Sequence, residues 1–136
     1  LDIKNETKET KKDEIVLIHS LKTGKLIECA VMLGQIGNNK NKCIDKYHNF
    51  GKKIGLAFQI TDDILEVTSD KKTLGKNTNS DEKNNKATYV NTVGLDNAIK
   101  ESESLTEAAI NEISDDNISD TNMLIELAKY ITHREA

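Results

Sequence analysis

Proline and tryptophan are both absent from this 136-residue chain, and aromatic residues make up only 4% of it. Without proline the strongest interior helix breaker is missing, so the seven glycines must do most of the punctuation and an all-α fold is expected. Cysteine is scarce as well. Cys29 and Cys43 share no C-x-x-C and have no histidine at ligand spacing, which argues against a disulfide framework, a zinc site or a redox pair and for two reduced, part-buried thiols. No apolar run approaches the roughly 18 residues that span a bilayer, and Leu1-Asp2-Ile3-Lys4 has neither a basic nor an apolar leader region, so a cytoplasmic protein without stable membrane insertion is expected. An excess of positive charge is lacking too: 19 Lys plus Arg stand against 23 Asp plus Glu, a net charge of −4 that excludes a generally basic nucleic-acid binder. Hydrophobic residues are 36%, a thin core for one domain. Together with a first residue that is Leu rather than Met, this leaves open a piece of a larger buried assembly.

The residues that are present read as helices. The first eleven or so alternate Lys, Glu, Asn and Thr without apolar period and read as a solvated connection. From Asp13 the spacing turns helical through Ile15, Ile18 and Leu21, and Leu26, Ala30 and Leu33 continue it beyond Gly24. A glycine inside a helix costs about 0.5–1 kcal/mol relative to Ala, so Lys22-Thr23-Gly24 marks either a break or a close approach to the backbone. Ile44, Tyr47, Gly51, Ile54, Phe58, Thr61 and Leu65 then run at alternating three and four spacing, a long helix with one continuous inward stripe. The stretch from Asp70 to Asn85 is polar, contains Gly75 and reads as a loop; loops of that length in compact domains are usually functional or disordered. Two more helices follow, one from about Tyr89 through Leu105, Ala109 and Ile113, the other from Thr121 through Leu124, Leu127 and Ile131.

Chemistry concentrates in Phe58-Gln59-Ile60-Thr61-Asp62-Asp63-Ile64-Leu65-Glu66. Asp62 and Glu66 are four apart and Asp63 and Glu66 three apart, so the carboxylates share one edge of the helix with Gln59 a turn earlier. Like charges so placed destabilise a helix by about 0.2–0.5 kcal/mol, and nothing basic lies within one turn. A divalent cation would offset them, Mg²⁺ being commonly held by few protein carboxylates with water and substrate phosphates completing the shell. An ordinary solvated acidic face fits the spacing equally well. Lys22, Lys76 beside Gly75, and Lys86 before Ala-Thr-Tyr each read singly as solvated; around a carboxylate–metal site they supply the cations a diphosphate needs.

Taken together, His19-Ser-Leu-Lys22-Thr23-Gly24-Lys-Leu-Ile, Gly55-Leu-Ala-Phe58-Gln59-Ile-Thr-Asp62-Asp63-Ile-Leu-Glu66, Leu74-Gly75-Lys76, Asp81 and Asn85-Lys86-Ala-Thr88-Tyr89 resemble the trans-isoprenyl diphosphate synthases, and within them the bacterial farnesyl diphosphate synthase type. The motifs stand in that family's order and spacing, and the similarity extends to the Tyr130-Ile131 helix. The resemblance implies an isoprenoid-synthase-type helical bundle, of which residues 1–136 form the C-terminal part of a single polyprenyl synthase domain. It implies a Mg²⁺-dependent prenyltransferase that condenses isopentenyl diphosphate with dimethylallyl or geranyl diphosphate to give farnesyl diphosphate, working as a homodimer. By that resemblance Asp62 holds a Mg²⁺, supported by Asp63 and Glu66 directly or through water. Lys22 and Lys76 bind the allylic diphosphate, Thr23 and Gln59 line the same site, Lys86 is an accessory contact and Phe58 lies near the hydrocarbon tail; Asp62, Asp63 and Lys22 are thereby the catalytic set.

The departures from the family pattern are specific. Glu66 stands where the second aspartate-rich motif usually ends in Asp, and Asn79 and Asn85 replace two usual loop glycines. The first aspartate-rich motif and its arginine pair are not among these residues, and Leu1-Asp2 resemble the tail of the Gly-Gln-x-x-Asp-Leu motif. Asp115-Asp116-Asn117-Ile118-Ser119-Asp120 lacks the arginines and reads as an inter-helix turn with Ser119 or Asp120 as N-cap. The expectation is a C-terminal half, inactive by itself, of a farnesyl diphosphate synthase; the alternatives are a synthase of longer products and a non-catalytic helical subunit. His19 is expected to pack or to neighbour the diphosphate, His48 and His133 to lie on the surface, and Tyr47, Phe50 and Tyr130 to be core or interface aromatics.

Overall fold

A computed structural model describes residues 12–37, 43–73, 88–114 and 121–134. Regular structure among the described residues is all helical: α1 Lys12–His19, a wide π-helical turn Ser20–Gly24, α2 Lys25–Gly37, α3 Ile44–Thr73, α4 Tyr89–Val93, α5 Leu95–Ser114 and α6 Asn122–His133. Helix α3 is the axle of the fold, with α2 and α5 packed along it. Its inward stripe buries Tyr47, Gly51, Ile54 and Thr61, as the three–four spacing requires. The helix continues to Thr73, past the point at which the sequence reads as loop.

The core is divided between the two ends of α3. At the N-terminal end Tyr47, Phe50 and Ile54 meet Ala109 and Ile113 of α5 and Ala128 of α6. At the other end Ile60 packs with Ile15 of α1, Tyr89 and Val90 of α4, and Ala98 of α5. Helix α5 buries Ala98, Ser102, Thr106, Ala109 and Ile113, a mostly small-residue face that lets it run close to α3. The hydroxyls of Thr61 and Ser102 satisfy each other at 2.9 Å in that buried seam.

Three glycines set the crossing of α2 with α3. A methyl group on Gly55 would lie 2.7 Å from Gly24 Cα and 2.9 Å from its carbonyl oxygen, and one on Gly51 would lie 3.0 Å from Glu28 Cα. Lys22-Thr23-Gly24 is therefore both things the sequence allowed. It is a break, because Lys22 leaves helical backbone at ψ −106°, and it is a close approach, because Gly24 rests on Gly55.

Several expectations change in detail. The helix expected from Tyr89 to Ile113 is two helices, because Gly94 adopts φ 85°. Its N–H bonds Val90 O at 2.8 Å and its carbonyl accepts from Ala98 at 3.0 Å, closing α4 and starting α5. The apolar spacing Leu26, Ala30, Leu33 marks the outer face of α2, with Leu26 70% and Leu33 63% exposed; Ile27 and Val31 face the core instead. Leu21, Cys29 and Leu127 are exposed as well, so Cys29 is not a part-buried thiol. Of the three aromatics, Tyr47 and Phe50 are core but Tyr130 is 68% exposed. His48 is a surface residue as expected, its side chain 45% exposed, and it bonds Glu28 at 3.0 Å. Position Thr121 caps α6 without a side-chain hydrogen bond, and Ser119 and Asp120 lie outside the described residues.

Candidate active site

The kinked turn after α1 and the second half of α3 face each other across a cavity of about 240 Å³. Lys22 and Thr23 line it from the turn, and Gln59, Asp62, Asp63 and Glu66 from α3. The Gly24–Gly55 contact explains why they meet: it brings the turn's backbone against α3 one helical turn before Gln59. Ile15, Ile18 and His19 of α1 and Thr88 at the start of α4 close the rest of the wall.

Six residues given a site role by the resemblance thus border one space, but their side chains have different partners. Asp62 pairs with the guanidinium of Arg134, at the C-cap of α6. Asp63 faces α1 and α4 instead, where its Oδ2 accepts the backbone N–H of Tyr89 at 2.6 Å and lies 3.4 Å from His19 Nε2. Glu66 is exposed. Among the described residues no three His, Cys, Asp or Glu side chains are grouped closely enough to hold a metal ion together. The donor set suits a cation held by the half-exposed carboxylate of Asp62 with water filling most of its shell, which is the mode of Mg²⁺, and does not form a three-carboxylate cage. Phe58 does not line the cavity; its ring lies under Arg134, the guanidinium carbon 4.4 Å from its centroid. Lys76, Lys86, Asp81, Asn79, Asn85 and the Asp115–Asp120 stretch fall outside the described residues.

One participant was not read from the sequence. Arg134 is the chain's only arginine, and it supplies the positive charge that local spacing said was missing, from 72 residues away. One arginine where lysine is otherwise used throughout was the available signal, since only the guanidinium offers a planar fork that also stacks on an aromatic ring. His19 is buried, and its Nδ1 has no hydrogen-bond partner among the described residues. It was expected to pack or to neighbour the diphosphate, and it does line the cavity; its 3.4 Å approach to Asp63 was not read from the sequence.

Comparison with known proteins decides what this arrangement belongs to. The sequence profile of the Polyprenyl synthetase family matches residues 1–128. The chain belongs to the polyprenyl synthetase family. It is 37% identical to the farnesyl diphosphate synthase of Escherichia coli over 139 aligned positions, covering 98% of this chain and 46% of that protein. It is 39% identical to a geranylgeranyl diphosphate synthase of Cyanophora paradoxa, covering 83% of this chain and 38% of that one. The crystal structure of a Helicobacter pylori geranyltransferase, complexed with magnesium and isoprenyl diphosphate, superposes with a TM-score of 0.72 at 27% identity, covering 96% of this chain and 43% of that one. The all-α, isoprenoid-synthase-type fold is the one expected from the sequence, and the family is one of prenyltransferases. The chain spans less than half the length of these polyprenyl synthetase relatives.

Proposed function

We propose that residues 1–136 are the C-terminal part of a single polyprenyl synthase domain in a cytoplasmic, homodimeric enzyme that joins isopentenyl diphosphate to dimethylallyl or geranyl diphosphate and makes farnesyl diphosphate. The observation that carries this reading is the meeting of Lys22 and Thr23 with Gln59 and Asp62 around one cavity, a cation and a carboxylate brought to border the same space by the crossing of main chains.

In this reading the ammonium of Lys22 holds oxygens of the allylic diphosphate, and Thr23 and Gln59 orient it by hydrogen bonds. Lys76 and Lys86, by the family's motifs, add further cations. Asp62, with Glu66 through water, would hold Mg²⁺. The metal supplies neutralisation of the negative charge that builds on the leaving diphosphate. The allylic carbon–oxygen bond breaks with its electron pair leaving on the diphosphate, the double bond of isopentenyl diphosphate attacks the carbocation, and loss of a proton restores an alkene. The apolar side chains Ile15 and Ile18 on the cavity wall, with Phe58 beside it, keep water from the cation. For Asp62 to take the metal it must part from Arg134.

The first aspartate-rich motif is not among these residues, so the 136-residue chain alone is expected to turn over no substrate. The test is product chromatography of the natural gene product incubated with Mg²⁺, isopentenyl diphosphate and geranyl diphosphate. Farnesyl diphosphate as the end product supports the reading, and brisk turnover by the 136-residue chain alone would remove the claim that it is half a site. A second reading stands beside it, because farnesyl and geranylgeranyl diphosphate synthases match the chain at similar identity, 37% and 39%. Geranylgeranyl diphosphate as the end product would decide for it.

A further inference from the structure

The two adjacent aspartates of α3 are chemically alike and structurally unlike. Consecutive residues on a helix are about 100° apart around its axis, so one position can face α6 while the next faces α1 and α4. Asp62 takes the first direction and meets Arg134, with its side chain 45% exposed. Asp63 takes the second, and its side chain is only 15% exposed. Its Oδ2 accepts the Tyr89 N–H at 2.6 Å, a short bond to a charged acceptor.

That bond has a structural purpose visible in what it joins. Tyr89 is the first residue of α4, and its N–H is one of the helix-start donors that no earlier carbonyl in the helix can satisfy. Thr88 already caps the same turn by accepting from the Asn91 N–H at 3.1 Å. Asp63 satisfies a second donor from outside the helix, across 26 residues of sequence, and so fixes where the first turn of α4 sits on α3. Thr88 and His19, the two neighbours this fixes, both line the cavity. Its Oδ2 is also already committed: a metal taking that oxygen would leave the Tyr89 N–H unpaired in a part-buried seam, at a cost of about 1–3 kcal/mol, and the other oxygen belongs to the same side chain turned toward α1 and α4 and only 15% exposed.

We infer that Asp63 is a positioning residue rather than a metal ligand: its carboxylate pins the start of α4, and with it the Thr88 and His19 walls of the cavity, to α3, and leaves Asp62 as the carboxylate of this pair that meets the metal. This rests on the proposed function only for what Asp62 binds. The clamp itself stands on the Tyr89 contact.

The distinguishing variants are Asp63→Asn, whose amide oxygen can still accept the Tyr89 N–H, and Asp63→Ala, which cannot. The chain as naturally made is examined by hydrogen exchange of a peptide covering residues 88–93 and by Mg²⁺-dependent binding of inorganic pyrophosphate, with Asp62→Asn as the comparison. Asp63→Ala should speed exchange of that peptide by about tenfold or more while a peptide within α5 keeps the parent rate. Asp63→Asn should stay within about threefold of the parent in both exchange and pyrophosphate binding, while Asp62→Asn loses the binding. If Asp63→Ala proves too unstable to purify, retention by Asp63→Asn carries the inference alone. Two results overturn it: parent-like exchange in Asp63→Ala, or loss of pyrophosphate binding in Asp63→Asn as severe as in Asp62→Asn. If the parent binds no pyrophosphate with Mg²⁺, the proposed function fails while the exchange measurements still decide the clamp.

Discussion

At the scale of single residues, the candidate site is governed by which counter-charge each carboxylate meets. The Asp62–Arg134 pair is partly solvated, with side chains 45% and 22% exposed, so its net strength belongs to the range of exposed pairs, about 0.2–1 kcal/mol. On the proposed function Arg134 competes with a cation for the same carboxylate, so Arg134→Ala should tighten binding of Mg²⁺ alone by about two- to fivefold, read by isothermal titration calorimetry. Weaker binding would mean instead that the arginine holds Asp62 in its ligating orientation. The types and spacing of Lys22, Gln59, Asp62 and Glu66 were legible in the sequence because helical periodicity places such residues on a common edge. The divergence of Asp62 from Asp63 was not, since it is set by Arg134 and Tyr89, partners 72 and 26 residues away.

Among the elements, the decisive feature is that the π-turn and α3 touch through main chain. Gly55→Ala would force its new methyl to within 2.7 Å of Gly24 Cα, where no flexible side chain can yield. The helices must separate. Overpacking of this kind costs about 1–3 kcal/mol, so the melting temperature should fall by several degrees, with the Lys22 turn displaced from Gln59 and pyrophosphate binding weakened alongside. Gly34→Ala is the control, because nothing lies within 4 Å of the position a methyl would occupy there. The long helix α3 was readable from its stripe, and the special standing of Gly24 from its place in a helical pattern. The division of α4 from α5 was missed because Gly94 sits in an otherwise continuous helical pattern, and only its positive φ reveals a boundary. The outer face of α2 was mistaken for part of the apolar pattern because both sides of that helix carry apolar residues, Leu26 and Leu33 on one and Ile27 and Val31 on the other.

For the molecule as a whole, ion pairs within and between helices tie stability to pH. A hydrogen bond from Lys25, joined by one from His48, holds the Glu28 carboxyl below its ordinary value of 4.5. Burial alone would raise Glu101, but the bond from Lys12 overcomes it and leaves that carboxyl lowered too; Lys53 lowers Glu112. Lys12 is correspondingly raised to about 12, chiefly by Glu101. Carboxyls depressed in the folded state contribute stability that is present above 4.5 and is lost as pH falls through it, whereas the Lys12 contribution is complete below 10.5 and is lost only as pH rises through about 12. Thermal unfolding should therefore vary little with pH between those limits and decline on the acid side, an acid decline that added salt reduces. A midpoint that is unchanged from pH 7 to pH 3 would show that these pairs contribute nothing. None of the described helices is long and apolar enough to cross a membrane, in keeping with the absence of a long apolar run in the sequence. The Gly24–Gly55 joint has one more consequence. A contact made of main chain is indifferent to the identity of the side chains around it, so Thr23, Gln59 and the residues beside them are open to exchange while the frame that aims them stays fixed. Such a frame lets a lineage of enzymes retune what its pocket accepts by point substitutions, without first reinventing the scaffold.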